Sequence, residues 1–135
     1  MVPYRYEEIS HTADLALRVR GENFHDLLRH AAQGMYHLMG AGIGNNTSID
    51  EAFTISHGSH EEILVDFLNE LLFLCEAHGK VLTAFQFSEG ANGLQVRAVG
   101  HTLDGIVRPI KAVTFHNLVV NQSGKDYETV ITFDV

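Results

Sequence analysis

The chain has 135 residues, 45% of them hydrophobic and 19% charged, which fits one globular domain over residues 1–135 and is too apolar for a disordered chain. Its formal net charge is −8, from 17 acidic against 9 basic residues. That balance repels phosphate backbones at long range, so direct nucleic-acid binding is not expected, and a basic partner or a cation fits better.

Cys75 is the lone cysteine, so no intramolecular disulfide can form, as suits a cytoplasmic protein. Met1 to Glu8 is polar and aromatic, unlike a signal peptide. No apolar run approaches the roughly 18 residues needed to span a bilayer, so no membrane role is expected.

Taken in chain order, Tyr4 to Ile9 reads as a strand, and Ser10 to Ala13 breaks it. From Asp14 to Arg20, Leu15, Leu17 and Val19 alternate with Asp14, Ala16, Arg18 and Arg20, the period of a half-buried strand. Asn23 suits the cap of a helix whose apolar stripe runs through Phe24, Leu27, Leu28, Ala31, Met35, Leu38 and Met39. Gly40 to Asn46 ends it in a glycine-rich loop, and Asp50 to Ser56 reads as a strand. Ser59 and Glu62 have the spacing of a capping box ahead of a strongly apolar helix that stops at Gly79. Beyond it, Val81, Thr83, Phe85 and Phe87 are expected on one strand face. Asn92-Gly93 signals a tight hairpin, and Leu94 to His101 forms the return strand. Ile110 to His116, Leu118 to Val120 and Thr129 to Val135 are strand-like, with turns at Asp104-Gly105 and Ser123-Gly124. The expected fold class is α+β, of order roughly ββαβαββββ. Its sheet is mainly antiparallel, because the connections are too short for parallel crossovers, with two helices packed on one face.

Most familiar chemistry is absent. Nine histidines occur without a His-Glu-x-x-His pair, and Cys75 has no second cysteine, so zinc is not favoured. Gly40 to Gly44 follows a helix, whereas a dinucleotide loop follows a strand, and no Gly-x-Ser-x-Gly elbow is present. Two places remain: His11-Thr12-Ala13-Asp14 at the head of a strand, and Phe133-Asp134-Val135 at the end of the sequence. If the first and last strands lie side by side, Asp14, Asp134 and the main-chain carboxylate of Val135 could converge as oxygen donors for a hard cation.

Ser10 to Asp14, Gly21, Ala31-Ala32, Phe67 to Phe73, Ile110 to His116 and the Asp134-Val135 ending together resemble the archease family, in order from about Tyr6 to Val135. The resemblance implies a non-catalytic accessory protein of an RtcB-type RNA ligase in tRNA splicing and RNA repair, promoting ligase guanylylation and multiple turnover. It also implies a divalent-cation site, described with calcium, with magnesium and manganese as alternatives, on Asp14, Asp134 and Val135. His11, Lys111 and His116 are candidates for partner contacts or for supporting the site, although Lys111 and His116 should face opposite sides of their strand. Asn69 and Glu70 could cap backbone groups or face the ligase, and the structural role is favoured. Three departures from the family's habit stand out: Gly100-His101 where Gly-Glu is frequent, a shortened segment from Thr102 to Pro109, and Phe67 where Trp is expected. The competing readings are a metal-dependent hydrolase and a chaperone-like module for RNA-modifying enzymes.

Overall fold

A computed structural model describes residues 4–9, 15–45 and 48–135. The elements run β1 (Tyr6–Ile9), β2 (Leu15–Gly21), α1 (Phe24–Met39), β3 (Ile49–Ile55), α2 (His60–His78), β4 (Lys80–Gly90), β5 (Gly93–Thr102), β6 (Ala112–Thr114), β7 (Asn121–Ser123) and β8 (Asp126–Asp134). The α+β class, the two helices and the antiparallel pairing are as expected. The strands divide between two sheets, a boundary that hydrophobic alternation alone does not reveal. One sheet has the order β1-β2-β8-β6, with β7 also paired to β8; the other is β3-β5-β4.

Both helices touch both sheets. α1 packs on β1, β2 and β8 and also on β4, while α2 packs on β6 and on β3 and β4. A helix in that position must be apolar nearly all round. Accordingly α2 buries Leu64, Val65, Phe67, Leu68, Leu71, Leu72, Leu74 and Cys75, and leaves in solvent a narrow strip through Glu62, Asp66 and Phe73 and its last turn, Glu76 to His78. The core is continuous from Leu17 and Ile131 in the first sheet, through Leu28 and Phe67, to Val96 in the second. At Gly34 a Cβ would lie 2.5 Å from Leu17 Cδ2 and 2.9 Å from the Tyr6 ring, so glycine lets α1 approach the first sheet closely.

The helix signals work as their residues predict. The Asp26 amide donates to Asn23 Oδ1 at 2.8 Å. The Glu62 amide donates to Ser59 Oγ at 3.1 Å, and the Ser59 amide returns a bond to Glu62 Oε1 at 3.0 Å. Gly79 closes α2 with φ 62°, a left-handed turn that glycine adopts without a Cβ penalty.

Three strand expectations need correction. The register of β4 shifts between Leu82 and Ala84, so Val81 and Leu82 are both buried and Thr83 is exposed as the extra residue of a bulge. Thr83 therefore does not share a face with Phe85. The strand expected over 110–116 shrinks to Ala112–Thr114, because Pro109 lacks an amide and Asn117 turns the chain at φ 53°. Leu118 to Val120 is not strand; the strand begins one residue later, at Asn121.

The glycine loop acts as structure. The Gly42 amide donates to Gly105 O (2.9 Å), the Gly44 amide to Thr102 O (2.8 Å), and Ile43 bridges Leu103. Those donors are already taken, as the reading against a phosphate cradle requires. The short 102–109 segment also closes the C-terminal end of α1. The Val107 and Arg108 amides both donate to Met39 O at 2.9 Å, and Arg108 Nε donates to Leu38 O at 3.1 Å. A guanidinium there suits the negative end of the helix dipole.

Candidate metal centre and the edge beside it

β8 is the middle strand of the first sheet. β2 occupies one side from Tyr127 to Phe133, so β6 and β7 must share the other. Leu15 pairs with Phe133, and Ala112 pairs with Asp134. Asp134 is thus carried on a paired strand, and its carbonyl accepts from the Lys111 amide at 2.8 Å. Its carboxylate is exposed and has no ion-pair partner among the described residues; Val135 is 48% exposed. Asp14 and His11 lie outside the described residues. Among the described residues no three His, Cys, Asp or Glu side chains gather closely enough to hold a metal. Of the expected donor set, Asp134 and Val135 are thus the two described residues, adjacent and exposed at the end of β8.

Lys111 and His116 lie at the two ends of β6 without forming a pair. Lys111 is exposed just before the strand. His116 is exposed just beyond it, where its amide donates to Thr114 Oγ1 (3.3 Å) and its Nε2 lies 3.2 Å from Asn117 Nδ2. Other histidines have local partners: His30 Nδ1 meets Arg20 O at 2.5 Å, and His57 Nε2 meets Ala91 O at 3.1 Å. Burial raises the pKa of the Cys75 thiol above its ordinary value, so this cysteine packs as a hydrophobe.

Asn69 takes the structural role that was favoured for it. It sits on α2 facing the outer edge of β6, where a strand normally exposes unpaired backbone groups. The Val113 amide donates to Asn69 Oδ1 at 2.9 Å, and Asn69 Nδ2 donates to Val113 O at 3.4 Å. Its amide side chain therefore stands in for a neighbouring strand. Two turns earlier, Glu61 Oε2 accepts from the Val120 amide at 2.8 Å. That bond is the main reason the Glu61 carboxyl titrates below its ordinary range, and burial opposes it. Thr129 Oγ1 donates to Val119 O at 2.8 Å. Pattern reading missed this clamped loop, since 110–116 and 118–120 look like plain strand; the signal was Asn117, a residue that tolerates left-handed backbone.

A cleft of about 520 Å³ lies at the other end of β2, lined by Tyr4, Arg5, Arg20, Gly21 and Asp126 among others. Arg20 is already engaged there, 3.6 Å from Asp126 and 3.8 Å from Glu128, and the cleft is remote from Asp134 along the strand.

Comparison with known proteins agrees over nearly the whole length. Residues 6–135 match the model of the Archease protein family (MTH1598/TM1083). Protein archease of Methanopyrus kandleri is 33% identical over 125 residues, covering 87% of this chain and 89% of its own. Protein archease of Methanosarcina mazei is 26% identical, covering 97% and 96%. Among solved structures, the crystal structure of an archease from Thermotoga maritima, described as a possible chaperone, superposes with a TM-score of 0.71. It is 21% identical and covers 96% of each chain. The solution structure of protein 1598 from Methanobacterium thermoautotrophicum superposes with a TM-score of 0.72 at 20% identity, covering 97% and 99%. The fold is shared with both.

Proposed function

Since the chain belongs to the archease family, we propose that it is a non-catalytic activator of an RtcB-type RNA ligase in tRNA splicing and RNA repair, with a divalent-cation site at the end of β8. The ligands are Asp14, Asp134 and the main-chain oxygens of Val135, and calcium is the favoured ion. The observation that carries this reading is the pairing of Leu15 with Phe133. Those two residues are the direct sequence neighbours of Asp14 and Asp134, and they face each other across a hydrogen-bonded ladder. The donor set fits a hard cation: the proposed donors are all oxygens, and the Asp134 carboxylate is exposed and not spent on an ion pair with any described residue.

The ion would supply positive charge at an end whose own donors are anionic. The remaining work belongs to the chain. Central pairing of β8 between β2 and β6 holds Asp134 on rigid backbone, and the Lys111 amide fixes the Asp134 carbonyl. A rigid presentation of this kind stimulates a ligase by binding one of its conformations better than another, since only differential affinity shifts such an equilibrium. The acidic balance of the chain favours a protein partner over bare RNA.

The test is ligase turnover with and without the chain, repeated with Asp14→Ala and Asp134→Ala. Both variants should melt like wild type, lose calcium binding in calorimetry and lose stimulation. Full stimulation by both would remove the cation site from the mechanism.

A further inference from the structure

We propose that the strap Phe115–Val120, which interrupts the outer edge of the first sheet between β6 and β7, is the surface that docks on the ligase, inserting Phe115 and Val119 into an apolar socket rimmed by cations; this rests on the ligase reading above. Phe115 is 55% exposed and Val119 57% exposed, in a molecule whose largest apolar side chains are otherwise mostly buried. Two such groups within five residues form a local apolar display.

The display is held rigidly. Leu118, between the two exposed residues, is buried and anchors the strap to the core. Its amide donates to Phe115 O at 3.0 Å, and Asn117 completes that turn with φ 53°, the only left-handed residue besides glycine among the described residues. Thr114 holds the His116 amide, Thr129 holds the Val119 carbonyl and Glu61 holds the Val120 amide. A partner meeting this backbone has little loop entropy to remove, the usual condition for a short apolar contact to carry binding energy.

Position and charge choose the occupant. β6 and β7, which flank the strap, both pair with β8, whose far end carries Asp134 and Val135. A body that reaches those residues on this side of the sheet meets the strap along the same edge. The Glu61 carboxylate lies against the strap at Val120. The net charge of −8 opposes pairing with a second copy and favours a cationic rim.

The experiment titrates purified ligase, with GTP and divalent metal, with wild type, Phe115→Ser/Val119→Ser and Val107→Ser. Val107, 85% exposed at the end of α1, serves as the apolar surface control. The double variant should need roughly tenfold more protein for half-maximal stimulation, with an unchanged plateau, and the control should match wild type. Superimposable curves for wild type and the double variant overturn the docking surface and leave the ligase reading intact. Failure of wild type itself to stimulate overturns the ligase reading and the strap's occupant with it. Independently of any variant, hydrogen exchange of the wild-type complex should show added protection at residues 115–120; none there rejects the surface. A concentration-dependent dimer of the chain alone, abolished by the double variant, rejects the ligase in favour of a second copy.

Discussion

The two sheets are built on different terms. In the second, β3, β5 and β4 pair over seven to ten residue pairs each, and Phe53, Phe67, Phe85 and Phe87 interlock beneath them, with Phe67 5.4 Å from Phe85 and 5.5 Å from Phe87. In the first, the outer edge is two three-residue strands and a strap between them, held by the side chains of Glu61, Asn69, Thr114 and Thr129. One sheet is secured by collective backbone pairing and apolar packing. The edge beside the candidate site depends on single polar contacts, each of which one substitution removes.

The sharpest way to break the contrast is to weaken the packed side. Phe67→Ala empties a fully buried site among three aromatic rings and should cost about 3–5 kcal/mol, read as a lower denaturant midpoint of the whole molecule. A smaller global loss than that of Asn69→Ala would invert the ranking of the two regions. Asn69→Ala strands the Val113 amide and carbonyl and should cost about 1–3 kcal/mol. Its signature is local, with hydrogen exchange accelerating at Val113 well before Val96.

The smallest effect is a titration. The folded-state pKa of Glu61 lies below its ordinary 4.5, so its contribution to stability is fully present above that value and is lost as pH falls through the lower folded value. Glu62, in the capping box, shifts in the same direction for the same kind of reason, a bond accepted from the Ser59 amide. Protection of the Val120 amide should therefore decline below about pH 4.5 in wild type. Glu61→Gln should flatten that dependence, and an identical decline in that variant would assign it to other carboxylates.

This division also explains what could be read from sequence. The capping box at Ser59 and the stop at Gly79 are local devices whose residue types alone dictate backbone geometry, and both stand. The hairpin signalled by Asn92-Gly93 also forms, but its two-residue turn is Ala91-Asn92 and Gly93 pairs with Gly90 as the first residue of β5. The bulge at Thr83 was invisible, because it is imposed by the ladder with β5 rather than by residues 81–87 themselves. The split into two sheets was hidden too, since a strand's partner lies far along the chain. Of the candidate site, Asp134 and Val135 follow from donor chemistry; the strand carrying Asp134 is the expected one, and it stops before Val135. Asp14, the residue meant to meet them, lies outside the described residues, so the ladder that reaches Leu15 and Phe133 stops one residue short of it. The clips at Glu61 and Asn69 went largely unread, because a polar residue in an apolar helix announces only that it needs a partner.

The central place of β8 has a consequence for biosynthesis. The first sheet cannot be completed until Asp126–Asp134 has left the ribosome, because β2 at one end of the polypeptide and β6 and β7 near the other all bond to it. Until then Leu17 and Val19 have no β8 to cover them, and α1 can offer them only a provisional shelter. Joining such distant stretches is intrinsically slow. The nascent chain therefore passes through a stage in which its second sheet can form while its first is still open, and the strand that closes it also delivers the candidate cation ligands.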